Sequence, residues 1–473
     1  MQVWSLEIPV GTFAIDIASL CVLLIFGTIL RRYIPLFQRY LLPNNIIGGF
    51  IGLFLVHILV EMYPTPYFMG VSDRMGAYVY HLLALTMIAV GLTQKRTSVG
   101  REPILMGMTF VMIYLVQALI GMGVTFALIY TIMPDLFAGF GMLMPLGFGM
   151  GPGISYSIAN NWEQFGFVDG GVTGLSIAVA GLLAVYIPGI ILVRKHIAAG
   201  KASNLKDNSS VTDEIKRGIL KKENRPAAGY LTTATEAIDS SSFHMAIIGL
   251  TYALTYLAAR GIELLLISAG AENEVSTLWS FHFIIGTVLA LIVRFIIDRA
   301  GIGHLIDEGS MTRSANLFVD FMITTSIVAI SFSVVYNYLI PIILCSILVP
   351  VTTYIIVKKV SYSFFKTHTY EYFVAIAADV IGTIQSSLIL LRILDPKFKT
   401  TISIEIVYAS GVALIAGFPL LVLINAPINF FKDDIITGFW YVTVAMLMYL
   451  VMILLAIRFY MKNGDSRGES SSD

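Results

Sequence analysis

The residues of this chain best able to do chemistry sit in two apolar stretches interrupted by small and polar side chains. In the first, residues 137–160, Pro145, Gly147, Gly149, Gly151, Pro152 and Gly153 precede Ser155, Ser157 and Asn160. In the second, residues 370–391, Asp379 precedes Gly382, Thr383, Gln385, Ser386 and Ser387. Proline withholds an amide donor and ends a helix. Glycine tolerates backbone conformations that other residues resist and lets a ligand approach the main chain. Each stretch should therefore leave half-helix ends, with amides that can face an anion and carbonyls that can hold a cation. Asp379 can ligate a sodium ion, carry a coupling proton or pair with a substrate ammonium. An ionisable residue at membrane depth is expensive and is a functional candidate by default.

No other pattern competes. The chain has no zinc-ligand spacing, nucleophile elbow, phosphate loop or nucleotide motif, so an enzyme is not expected. Gln117, His57, His81 and His282 are isolated polar residues on apolar runs, a pattern that predicts interhelical hydrogen bonds. Asp320, Thr324, Thr325 and Ser326 share one span, where a hairpin tip could pack. Asp16, Arg260, Glu263 and Glu405 fall near predicted span ends, within reach of the interface. Cys21 and Cys345 read as apolar thiols rather than a disulfide or metal pair.

The elements that must position these residues follow from composition. Of 473 residues, 57% are hydrophobic and 13% charged, and the mean hydropathy is +0.82. That balance excludes a soluble domain and predicts an all-α polytopic membrane protein seated in a lipid bilayer. The formal net charge is zero, which gives no reason to expect nucleic acid as a partner. Apolar runs of spanning length occur at 12–30, 44–62, 75–92, 104–130 and 171–193, with the first interruption between the last two. A polar stretch, 194–242, reads as a cytoplasmic linker and a solvated tether. The second half repeats the scheme at 243–268, 276–297, 315–332 and 335–357, the second interruption, and 402–423. One further span, 435–460, has no counterpart in the first half.

The expected organisation is a first membrane repeat over 1–194, the linker over 195–242, a second repeat over 243–427, and an extra span with a tail over 435–473. Residues 1–10 lack a basic leader, and Arg31 and Arg32 follow the first run at once, which predicts a retained first span with its N-terminus outside. Arg39, Lys95, Arg96, Arg101, Arg194 and Lys195 fall on the cytoplasmic side of the first half. In the second half Arg299, Arg313, Lys358, Lys359, Lys366, Arg392, Lys397, Lys399, Arg458 and Lys462 do so if that half enters with the opposite sense. The two repeats of five transmembrane helices are therefore expected to have inverted topology. Each would carry a re-entrant broken-helix hairpin, with the tips meeting at mid-membrane.

Several motifs resemble the bacterial sodium/glutamate symporter family, collinearly over most of the chain. Residues 43–49, Pro-Asn-Asn-Ile-Ile-Gly-Gly, look like the opening of the family's second span, and Gly91-Leu92 like the end of its third. The glycine-rich stretch followed by 162–167, Trp-Glu-Gln-Phe-Gly-Phe, is similar to its first re-entrant loop. Tyr370-Glu371 leading into 374–378 is similar to the approach to its second. The family's Gly-Gly-His-Gly-Thr-Gly run is replaced here by 149–154, Gly-Met-Gly-Pro-Gly-Ile. Its Ala-Thr-Pro-Thr is replaced around 382–387, and its histidine before the second loop by Asp379.

The resemblance implies sodium coupling and a homodimer; the expected place is the cell inner (plasma) membrane, with the C-terminus cytoplasmic from the basic residues Arg458 and Lys462. The expected activity is sodium-coupled symport of glutamate or a related small organic anion by alternating access. In that scheme Gly149, Gly151, Gly153, Ser155, Gln385, Ser386 and Ser387 bind substrate, and Asp379, Thr383 and Ser386 hold sodium. A proton-coupled transporter on the same fold, and a membrane sensor or assembly protein without transport, remain as alternatives.

Overall fold

The computed structural model describes residues 10–93, 100–199, 212–227, 229–395 and 400–469. Expectations for residues 1–9, for Lys95, Arg96, Lys397 and Lys399, and for the centre of the linker lie outside the described residues. The elements are helical because lipid offers no hydrogen-bond partners, so each backbone group must be satisfied within its own segment. In chain order they are α1 (Val10–Tyr33), α2 (Asn44–Met62), α3 (Val71–Thr93), α4 (Arg101–Ile129), α5 (Pro152–Asn161), α6 (Gly170–Ala184) and α7 (Ile190–Ala198). There follow α8 (Ser240–Ser268), α9 (Val275–Ser280), α10 (His282–Arg299), α11 (Glu308–Val328), α12 (Leu339–Phe364), α13 (Thr369–Ile381), α14 (Ile384–Leu394), α15 (Ile402–Phe430) and α16 (Ile435–Glu469). No strand occurs among the described residues.

Nine described segments are long and apolar enough to cross a membrane: α1, α2, α3, α4, the run Gly170–Ala198, α8, α12, α15 and α16. The chain is a multi-pass membrane protein. The expected spans 276–297 and 315–332 do form helices, α10 and α11, but neither is among the nine. Both carry charge: Arg294, Asp298 and Arg299 in α10, and Glu308, Arg313 and Asp320 in α11. Arg294 stays buried because it donates to Asp298 at 3.1 Å and to the Leu92 carbonyl at 3.3 Å.

Compact packing does not follow the sequence blocks 1–194 and 243–427. Unit 1 comprises 1–97, 152–176 and 213–337, and unit 2 comprises 98–151, 177–212 and 338–473. Each unit thus draws helices from both halves. In unit 1, α3 packs on α10 and α11, α2 on α1 and α11, and α8 on α10 and α3. Its core gathers Ile88, Ala89 and Leu92 with Ile248, Ala290, Met311, Ala315 and Phe318. In unit 2, α4 packs against α12, α15 and α16, and α13 against α12 and α14. The extra helix α16 is integral to that packing: Trp440 stacks on Phe126 with centroids 4.1 Å apart and donates to the Tyr130 hydroxyl at 3.0 Å.

Two polar residues, Asp16 and His57, behave differently from their sequence reading. Asp16 is buried inside unit 1, 1% exposed. It accepts from Arg74 Nε at 2.8 Å and Nη2 at 3.2 Å, and from the Tyr67 and Tyr78 hydroxyls at 3.0 and 3.1 Å. That full set of donors is what permits an ion pair in a membrane protein's interior. His81 and His282 make the expected interhelical bonds, to the Tyr252 hydroxyl at 2.5 Å and the Tyr80 carbonyl at 3.1 Å. His57 instead faces Glu61 one turn along its own helix, at 3.4 Å.

The described part of the linker is docked rather than a free tether. Arg31 donates to the Ile215 carbonyl at 2.8 Å, and Ser240 accepts from the Thr232 and Thr233 amides at 2.9 and 3.1 Å. Asp307 receives the Ser310 amide at 2.7 Å. Burial pulls the Asp307 carboxyl upward, but donation from Ser310 and Tyr230 and the nearness of His244 outweigh it and hold the group below its ordinary 3.8.

Candidate functional site: two helix interruptions in unit 2

The first interruption begins with Pro145, whose missing amide proton is harmless at the start of a turn. The turn Pro145–Gly149 is π-helical, and the Met150 amide donates to the Pro145 carbonyl at 3.1 Å. Widened turns of this kind recur at functional sites. The chain then breaks at Gly151, whose φ of +87° is open to glycine and strained for other residues. Gly149 has a different role. A Cβ there would lie 2.1 Å from a Tyr114 ring carbon, so only glycine lets the Tyr114 hydroxyl reach the Gly149 carbonyl at 3.2 Å.

The second interruption separates α13 from α14. Helix α13 closes with the Gly382 amide on the Ala378 carbonyl at 3.1 Å. Thr383 is extended and caps α14, its hydroxyl accepting from the Ser386 amide at 3.4 Å. The Ser387 hydroxyl donates to the Ala375 carbonyl at 2.8 Å and ties α14 back along α13. The Ser386 hydroxyl donates to Tyr186 at 3.1 Å. Tyr186 lies in a second π-helical turn, Val185–Gly189, which contains Pro188.

Within unit 2 the two interruptions are neighbours. The Pro145–Gly149 turn packs against α13, and a Cβ added at Gly151 would come within 3.8 Å of Thr383 Cγ2. Helix α4 bonds to both: Tyr114 holds the Gly149 carbonyl, and three residues on, Gln117 Nε2 donates to the Val380 carbonyl at 2.8 Å and to Thr353 Oγ1 at 3.3 Å. Residues three apart lie on one helix face, so this face spans the two breaks. Gly181 in α6 does the same by contact, between the Ile381 carbonyl and Phe148.

Asp379 ends one turn short of this junction. It is 5% exposed, and among the described residues its carboxylate has no hydrogen-bond or ion-pair partner. Tyr114 is close enough to feel its charge. Unit 2 buries three carboxylates, Glu371, Asp379 and Asp395, but none of its described Lys, Arg or His residues is buried. Asp395 is occupied by the Thr400 amide and hydroxyl at 2.7 and 2.8 Å. No described side chain supplies the cation or proton that a carboxylate in the position of Asp379 requires.

The site residues expected from sequence thus divide. Gly149, Gly151, Asp379, Thr383, Ser386 and Ser387 come together in unit 2, with Gln385 half-buried in the first turn of α14. The hydroxyls of Thr383, Ser386 and Ser387 are also structural, as a cap and two ties. Gly153 and Ser155 belong to unit 1. Gly153 faces Leu83 and Met322, and the Ser155 hydroxyl is spent on the Gly174 carbonyl at 3.0 Å. Both make these contacts within unit 1.

Tyr114, Tyr186 and Gly181 were missed by sequence reasoning, though Pro188 inside a span is a visible signal near Tyr186. Among the described residues no group of three or more His, Cys, Asp or Glu could hold a metal ion. Any cation here would rest on one carboxylate with carbonyls and hydroxyls. No family model, curated protein or solved structure matches this chain.

Proposed function

We propose that this protein is a secondary active transporter that couples a monovalent cation, sodium in the leading reading, to a small organic anion such as glutamate. The observation that carries the proposal is Asp379, a buried carboxylate with no partner among the described residues, beside two neighbouring helix interruptions. The residues that would hold a sodium ion are Asp379, supplying charge, and the Gly149 and Val380 carbonyls with the Thr383 and Ser386 hydroxyls, supplying neutral oxygens. Sodium would neutralise the carboxylate and so lower the barrier to an anion nearby. The amide end of α14 would then face the substrate carboxylate, as helix N-termini do. Coupling would arise because the cation-loaded site holds the anion better than the empty one, a difference in affinity between states.

The packing of unit 1 supports the two-repeat reading. Exchanging α1, α2 and α3 for α8, α10 and α11 turns the contacts α1·α2 and α2·α11 into α8·α10 and α10·α3, all of which occur. The inverted sense rests on the loop charges, the re-entrant hairpins on the two interruptions, and the inner-membrane location and homodimer on the family resemblance. Uptake of labelled glutamate and other small organic acids into proteoliposomes, driven by a sodium gradient, tests the proposal. Transport should vanish when choline replaces sodium and in Asp379→Asn. Absence of gradient-driven uptake of every acid would refute it. The same lone carboxylate favours one second reading, a proton carrier, for which uptake would follow a pH gradient without sodium.

A further inference from the structure

The amide of Gln117 carries an unmet demand that the sodium site at Asp379 does not use. Gln117 is 0% exposed. Its orientation is fixed, because the Val380 carbonyl can only accept and must face Nε2. The opposite atom, Oε1, is buried and has no hydrogen-bond partner. Native interiors rarely leave such an acceptor unpaired, since the loss is not recovered elsewhere. Thr353, from α12, accepts from the same Nε2 and keeps a free lone pair. Val380 lies in the last turn of α13, whose carbonyl end makes the local field negative. A cation gains from every one of these groups, and an anion from none.

We propose that Gln117 Oε1 and Thr353 Oγ1 form a second monovalent-cation subsite, walled by α4, α12 and α13. The proposal rests on the transport reading of the Asp379 site and adds a ligand that the reading lacks. A cation on Oε1 polarises the amide and strengthens the donation from Nε2 to the Val380 carbonyl, since linked hydrogen bonds reinforce one another. Tyr114, on the same face of α4, holds the Gly149 carbonyl. Occupation of the subsite thereby steadies the second interruption directly, on a helix that also grips the first.

The test is thermal unfolding of the purified full chain, followed by tryptophan fluorescence and titrated with sodium chloride against choline chloride at constant ionic strength. The wild type gains stability with sodium, and Asp379→Asn loses most of that gain. Gln117→Leu needs about tenfold more sodium for half the effect, the order seen when a group supporting a metal site is removed. Gln117→Glu, which puts charge on the same oxygen, restores or tightens the dependence, an outcome a packing role does not produce. If Gln117→Leu does not fold, Thr353→Val serves, with a few-fold weaker sodium dependence expected. Wild-type half-saturation in Gln117→Leu or in Thr353→Val overturns the subsite while leaving the Asp379 site standing. A wild type indifferent to sodium overturns both.

Discussion

Gly181 offers a direct way to part the two interruptions without touching a proposed ligand. A methyl group there would lie 2.5 Å from the Ile381 carbonyl oxygen and 2.6 Å from a Phe148 ring carbon. Ordinary contact begins at 3.4 Å, so Gly181→Ala must open the first gap from 2.5 to 3.4 Å, about 0.9 Å. The carbonyl is backbone and cannot rotate away. Overpacking of this kind costs ~1–3 kcal/mol. A shift approaching 1 Å at a binding constellation weakens it by about tenfold or more, given the tolerance of about 0.5 Å that such sites have. The matched control is Gly123→Ala, on exposed α4 surface where an added Cβ meets nothing within 4 Å. That change should be neutral or stabilising by up to ~1 kcal/mol, from helix propensity. Unfolding midpoints and sodium half-saturation, measured side by side, decide the matter. If Gly181→Ala behaves like Gly123→Ala in both, the two interruptions are not packed as described.

Three further outcomes are expected. Arg74→Met should destabilise the chain by ~3–5 kcal/mol by stranding the Asp16 carboxylate, and adding Asp16→Asn should recover much of it; unfolding of the single and double variants would show this, and an additive loss would contradict it. A double-mutant cycle on Ser386→Ala and Tyr186→Phe should give a coupling of about 0.6 kcal/mol, the size found for hydroxyl bonds between membrane helices, and zero coupling would remove the tie. Asp307 is held below 3.8 when folded, so its contribution is present above that value and disappears as the pH falls through the lower folded value. Deuterium uptake by residues 229–242 should therefore be faster in Asp307→Ala than in the wild type at pH 7, with the difference closing only in strong acid.

Much of the candidate site was legible because proline and glycine act locally. Pro145 opens its turn and Gly151 and Gly382 break their helices wherever those helices lie, and Asp379 was conspicuous in an apolar stretch. What could not be read was which carbonyl each polar side chain would find. Tyr114 and Gln117 look like solitary polar residues until folding brings the Gly149 and Val380 carbonyls within their reach. Ser155 resembled a ligand by the same standard, yet its hydroxyl is consumed by Gly174. Asp16 and Arg74 are 58 residues apart, too far for any periodic pattern to pair them. The division into units was equally hidden, since it depends on contacts between helices from different halves.

The property on which the proposed transport depends is uptake of a cation by Asp379 and its surroundings. Equilibrium binding of radioactive sodium to the purified protein, by scintillation proximity, measures that without a substrate. Saturable binding that Asp379→Asn abolishes is the expected result, while binding that is absent, or unchanged in the variant, would contradict it.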